Sequence, residues 1–233
     1  MDKFTLITPN EEIVKKYNDF WFKRDNSDWS VHLFKNPEIR IKDIRNHIGN
    51  NPYEMFGAKD KKIEKAWKDE NVNVISFLRQ INSVYNTRVR NIGKPQAEKT
   101  LNDIDKNKLS NMEFTDFVKL CKKFSGSYAY SFATKVYSFM KPEEYPIVDS
   151  LVATLLEYYL KAKGLDREYP KSKWGDYDEY IKAYNRLKKE YNLHCSNKQI
   201  DVFLWTYAIA IQDYWEKMGV LSFAPVTYKG TKS

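Results

Sequence analysis

Cysteine is scarce in this chain of 233 residues, with only Cys121 and Cys195 present, and neither sits in a C-x-x-C. That excludes a disulfide scaffold and a thiolate metal site, and it points to a reducing compartment. Histidine is almost as rare, and His32, His47 and His194 show no metal-ligand spacing. There is no P-loop, no G-x-G-x-x-G and no internal repeat. No metal and no cofactor is therefore expected. Eight Gly and eight Pro are few for an all-β fold and leave little material for disordered linkers. Long hydrophobic runs are missing too: the longest, near Val202 to Ile211, is too short to span a bilayer, and M-D-K-F-T-L-I-T-P-N has no apolar signal core. The expectation is a cytoplasmic protein with no membrane partner.

What is abundant is aromatic and basic. Hydrophobic residues make up 42% and aromatics 15%, enough for a sizeable core, and 39 Lys and Arg against 31 Asp and Glu leave a net charge of +8. Such a surplus favours a polyanionic partner, although lysine-rich composition has other causes. The length suits one large domain or two lobes around a shared cleft. Helical spacing recurs along the chain and predicts an all-α fold. Thr8-Pro9-Asn10-Glu11 reads as a cap for a helix to about Phe22, and Asn36-Pro37 starts another to Ile44. A turn from Pro52 to Gly57 leads to a charged helix with Lys61, Lys62, Lys65 and Lys68, which reads as a solvated face. Val74 to about Arg88 is strongly apolar, and a short helix over Gln96 to Asn102 precedes a polar turn. Ser110 to Glu113 reads as a capping box for Phe114 to Lys123. Lys161 to Lys173 is a basic connector. Helices over Tyr177 to Tyr191 and Gln199 to Met218 complete the chain.

The stretch from Phe124 to Leu160 organises the rest. Gly126, with Ser125, Ser127 and Ala129, permits a tight entry, and Phe132, Val136 and Phe139 then recur at helical spacing. Pro142 stops that helix, and Pro146 holds Tyr145 extended, so Y-P-I-V crosses in extended form until Asp149 opens the next helix. A lysine, Lys135, lies in the first of these helices.

The pattern A-T-K-V-Y-S-F-M-x-P-x-x-Y-P-I-x-D-S resembles the 8-oxoguanine-glycosylase-like branch of the helix-hairpin-helix DNA glycosylase superfamily. The resemblance implies a two-lobed helical fold with a helix-hairpin-helix motif and a cleft between the lobes. On that basis residues 71–174 would form the hairpin core, and 1–70 with 175–233 the terminal helices, all within one domain. It also implies a monomer that excises a damaged or modified base from double-stranded DNA by flipping the nucleotide, and a nucleoid-associated one if the source is prokaryotic. Asp149 takes the family's catalytic aspartate role, and Lys135 is the nearest candidate for the lysine nucleophile. The family's hairpin, L-P-G-V-G-x-K, is replaced here by F-S-G-S-Y-A-Y; counting from Gly126, the usual lysine position falls at Tyr130 or Ser131, one helical turn before Lys135. Residues four apart share a helix face. Lys122, Lys123, Ser125, Gly126 and Ser127 would meet the DNA backbone, as would Arg88 and Arg90 beyond the apolar helix. Tyr85, Tyr130, Ser131, Asp201 and Trp205 are candidates for the base pocket.

Breaking the base–sugar bond develops positive charge on the sugar, so a carboxylate, a nucleophile or both are needed near the anomeric carbon. Asp149 fits that need, and it is also a good N-cap; the two roles are compatible. Lys135 becomes a nucleophile if apolar burial disfavours its cation, giving a Schiff base and lyase activity. Otherwise it is a phosphate contact or a surface lysine. Two further readings stand beside the enzyme: a non-catalytic helix-hairpin-helix DNA-binding protein, and a helical protein whose basic surface serves protein partners.

Overall fold

The computed structural model describes residues 7–22, 57–87, 89–217 and 226. The helix expected over Asn36 to Ile44 and the candidate phosphate contact Arg88 lie outside the described residues. Among those described, ten α-helices and one short 3-10 turn make up the regular structure, and there is no strand, so the fold is all-α. No described helix is long and apolar enough to cross a membrane.

The helices are α1 (Glu11–Phe22), α2 (Ala58–Lys68), α3 (Val74–Val84), α4 (Pro95–Leu101) and α5 (Lys106–Asn111). They continue with α6 (Phe114–Ser125), α7 (Tyr130–Met140), α8 (Ser150–Ala162), α9 (Tyr177–Glu190) and α10 (Asn197–Lys217). Capping explains most of the starts. Asn73, Asp105, Asp149 and Asp176 each turn a side-chain oxygen onto a free backbone N–H at the head of α3, α5, α8 and α9. Two expected caps differ. Asn10, rather than Thr8, accepts from the Ile13 N–H at 2.9 Å and begins α1. At α6 the cap is Glu113 with no side-chain bond, because Ser110 is absorbed into the last turn of α5, a helix where a polar turn was expected.

Helix α7 is the axis of the molecule: every residue from Phe132 to Phe139 is buried. It packs against α2, α3 and α6, while α8 packs on α9 and α10, and α10 in turn on α1. Around it lies an unusually aromatic core. Phe114, Tyr130, Tyr145 and Tyr177 stack or meet edge to face at centroid separations of 4.1 to 6.5 Å. Each buried ring of this size contributes about 1.5–3 kcal/mol by leaving water, with a further increment from favourable ring geometry.

Between α6 and α7 the chain turns through Gly126 at φ 77° and Ala129 at φ 44°. Both are left-handed. Glycine carries no penalty there, whereas alanine costs about 1–2 kcal/mol, which the buried packing of α7 must offset.

Candidate functional site

A cavity of about 500 Å³ opens where α2, α3, α7, α8 and α10 approach one another, a volume suited to a small-molecule-sized group. Lys135, Asp149, Asp201, Tyr85 and Trp205, five of the residues singled out in the sequence, line it. Asp60 and Lys198 line it as well. They were not anticipated.

Lys135 arrives from the middle of α7. Helical side chains lean toward the amino terminus of their helix. The amine accordingly reaches back one turn and donates to Ser131 Oγ at 2.8 Å. It thus touches the position at which counting from Gly126 places the lysine of the resembled hairpin. Only 6% of the residue is exposed. Burial therefore lowers the affinity of this amine for a proton, against which the nearby carboxylates of Asp149 and Asp201 work in the opposite sense.

Asp149 stands at the mouth of α8. Its Oδ1 accepts from the Leu151 N–H at 2.9 Å, and the half-buried carboxylate also borders the cavity. What fixes it is the extended segment before it. The Pro146 carbonyl accepts from Tyr177 OH at 2.6 Å and the Ile147 carbonyl from Tyr180 OH at 2.9 Å. The Ile147 N–H donates to Asp201 at 2.7 Å and the Val148 N–H to Thr134 Oγ1 at 3.1 Å. Three helices, α7, α9 and α10, therefore hold four consecutive backbone groups of a segment that makes no helix of its own. Burial raises the Tyr177, Tyr180 and Tyr184 phenols well above their ordinary range, so all three remain donors at any physiological pH.

Asp201 is 3% exposed and accepts from Ile147 N–H and from Tyr184 OH at 2.8 Å. Burial pushes its carboxyl up to about 7, moderated by those two donors and by Lys198 and Lys135. Asp60, from α2, is fully buried, pairs with Lys198 Nζ at 3.1 Å and accepts from Tyr85 OH at 2.6 Å. Lys198 also donates to Tyr85 OH at 3.1 Å, and its ammonium lies 4.0 Å from the Phe139 ring centre. The half-buried Tyr85 ring has both amines near it, Lys135 at 5.7 Å and Lys198 at 5.6 Å from its centre. The chain reaches this corner by a left-handed residue, Asn86 at φ 45°, directly after α3.

Other expected site residues lie elsewhere. Tyr130 is not among the residues lining the cavity; its hydroxyl donates to the Trp174 carbonyl and its ring belongs to the aromatic core. Ser131 is exposed and touches the site only through Lys135. Lys122, Lys123, Gly126 and Ser127 are exposed at the α6–α7 turn, where Lys122 lies over Tyr128, 4.4 Å from the ring centre. Ser125 spends its hydroxyl on the Cys121 and Ser127 carbonyls. Arg90 is exposed in the loop before α4. Lys198 could have been found in the sequence: it lies three residues before Asp201 and seven before Trp205, on the same face of α10. Asp60 gives no such sign, since it lies among the lysines of α2.

Among the described residues no cluster of His, Cys, Asp or Glu is arranged to hold a metal ion. The chemistry available here is that of three amines (Lys59, Lys135 and Lys198), three carboxylates and two aromatic side chains around one hollow. No model of a known protein family, no curated protein and no solved structure matches the chain.

Proposed function

We propose that this protein is a DNA glycosylase, a two-lobed member of the helix-hairpin-helix superfamily whose cleft is the cavity beside α7. It excises a damaged or modified base from double-stranded DNA in the cytoplasm. The observation that carries the reading is that the Lys135 amine and the Asp149 carboxylate border one cavity able to receive an extruded nucleotide. The resemblance of A-T-K-V-Y-S-F-M-x-P-x-x-Y-P-I-x-D-S supports it, as do the net charge of +8 and the exposed backbone at the Gly126 turn.

In this reading a nucleotide turns out of the duplex and its base enters between Tyr85 and Trp205. Lys135, whose burial favours loss of its proton, gives that proton up and attacks the anomeric carbon. The carbon–nitrogen bond to the base breaks, and its electron pair leaves with the base, which takes up a proton. Asp149 offsets the positive charge that develops on the sugar. The amine nitrogen then passes a proton to the ring oxygen as the C1′–O4′ bond breaks and an iminium forms; loss of a C2′ proton from that iminium breaks the C3′–O bond and expels the 3′ phosphate with the electron pair. Lys135 is assigned the attack in preference to Lys198 because its hydrogen-bond partner is a neutral hydroxyl, whereas Lys198 is committed to Asp60 and Tyr85.

The test is a panel of duplexes carrying oxidised, alkylated or deaminated bases, incubated with the protein and borohydride, which reduces the iminium to a stable amine. A covalent protein–DNA adduct is expected with one of them. It disappears in Lys135→Ala, and base release falls at least about a hundredfold in Asp149→Asn, the scale typical of a lost transition-state charge. Base release that survives Lys135→Ala without an adduct assigns the attack to water. No release from any substrate ends the glycosylase reading.

A further inference from the structure

A second hollow of about 580 Å³ adjoins the first, and the two share Lys59 and Val84 on their common edge. Its floor is apolar, made by Ile63, Ala66 and Val72, and its rim carries Lys59, Lys62 and Lys65 from α2. These lysines are exposed and lie three residues apart, so they form a single row along the helix. Across the groove Arg79 is engaged with Glu98 at 2.6 Å and with the Ile92 carbonyl, which leaves the lysine row as the open cationic side. Asp69 is the one carboxylate in the lining. In the sequence this helix reads as an ordinary solvated face; the structure places three of its cations along a groove that leads out of the cavity.

We infer that this groove is the track for the DNA strand whose nucleotide occupies the cavity, with the lysine row of α2 on successive phosphates and the apolar floor under the adjoining sugar and base. The inference rests on the glycosylase reading for its partner. The charge fits a polyanion of regular spacing: lysines three residues apart rise about 4.5 Å along the helix, a regular row of cations facing one side. A cationic groove that follows the backbone is what holds nucleic acid without reading its sequence, and with an aliphatic floor the phosphate contacts carry the binding here. Because Lys59 belongs to both hollows, a strand on the rim would pass directly into the cavity that holds Lys135 and Asp149.

The experiment measures binding of a fluorescent duplex bearing a tetrahydrofuran abasic analogue, at 50 to 300 mM NaCl, by anisotropy. It compares the full chain with K62E/K65E, with the milder K62A/K65A, and with K182E, which reverses an exposed lysine of α9 paired to Glu179. Thermal melts establish that all are folded. Two lost phosphate contacts should make the slope of log affinity against log salt shallower by about 1.8, and weaken binding by about tenfold near physiological salt. K62A/K65A should show the same slope change, K182E should stay within about twofold of the parent, and borohydride adduct formation on the duplex carrying the excised base, at saturating protein, should be unaltered. A parent that forms the adduct while K62E/K65E binds with unchanged slope overturns the groove and leaves the glycosylase. Loss of binding to polyglutamate but not to DNA in K62E/K65E also overturns it, in favour of an acidic protein. A parent with no salt-dependent DNA affinity removes both readings together.

Discussion

Two buried aspartates line the cavity, and their surroundings accommodate them differently. Asp60, fully buried on α2, meets an ammonium and a phenol, the side chains of Lys198 and Tyr85. Asp201, 3% exposed on α10, meets a backbone N–H and a phenol, those of Ile147 and Tyr184. One side is an ion pair. The other is a hydrogen-bonded carboxyl that burial lifts to about 7. Burial lifts the Asp201 carboxyl because its direct contacts are neutral dipoles, which favour the ionised form less than a contacting cation does. The consequence for chemistry is a division of labour. The Asp60–Lys198 contact is a direct ion pair, while Asp201 is the carboxyl whose protonation changes near neutral pH.

The largest expected effect comes from breaking the ion pair. Lys198→Met keeps the apolar stem that rests on Phe139 but removes the cation facing Asp60, and removing one member of a buried pair typically costs about 3–5 kcal/mol. Urea unfolding should show that loss. Adding Asp60→Asn should recover at least half of it, since a neutral amide needs no counter-charge and can still accept from Tyr85 OH. A cost under about 1 kcal/mol for Lys198→Met would mean that water screens the pair and that the two sides are not so different.

The next effect reads the other side through pH. The ordinary aspartate value is about 3.9. In the folded chain Asp201 stands near 7, so between these limits the folded state holds a proton that the unfolded state has given up. Acid therefore favours folding at this residue: its contribution is complete below about pH 4 and is lost as pH rises through 7. Asp201→Asn removes the titration. The amide fits, because its oxygen can accept from Ile147 N–H while its NH₂ donates to Tyr184, whose hydroxyl already has a second acceptor in the Asn197 carbonyl at 3.2 Å. The stability of the variant relative to the parent should rise between pH 4 and 7, by on the order of 3 kcal/mol. A difference that stays flat over that range would show that Asp201 is ionised in the folded protein like any surface carboxylate.

The contrast between the two sides also marks how far the sequence could be read. Of the residues that line the cavity, Lys135, Asp149 and Tyr85 were singled out by the resembled pattern, helped by an interior helix position and a cap after a proline-held segment, and Asp201 and Trp205 by their spacing of four. The all-helical architecture was visible for the same kind of reason, from spacing and from caps at Asp149 and from Gly126. Asp60 was not, because its neighbours Lys61, Lys62 and Lys65 make the helix look solvent-facing, and only the packing of α2 on α7 turns residue 60 inward. The α1 cap at Asn10 and the short helix α5 were missed where polar residues offered several equivalent starts. Tyr130 was assigned by counting along a hairpin, and counting does not reveal that its ring is taken up by Phe114 and Tyr177.

The smallest effect asks whether the Asp201 side positions Asp149 or merely surrounds it. Tyr180→Phe removes one hydroxyl, the donor to the Ile147 carbonyl, without changing the ring that packs on Trp174. Leaving a buried carbonyl without its donor costs about 1–2 kcal/mol. The backbone between Pro146 and Asp149 has no helix to restrain it, so the loss should appear locally. Amide exchange at Ile147 and Val148 should accelerate about tenfold, while the amides of α2 keep their protection. If the segment is what aims Asp149, the rate of adduct formation at saturating protein should fall in step with that acceleration, and DNA affinity should not. Faster exchange with an unchanged rate would make the tyrosine girdle structural, and would place the aim of Asp149 in its own cap on the Leu151 N–H, a bond that Tyr180→Phe leaves in place.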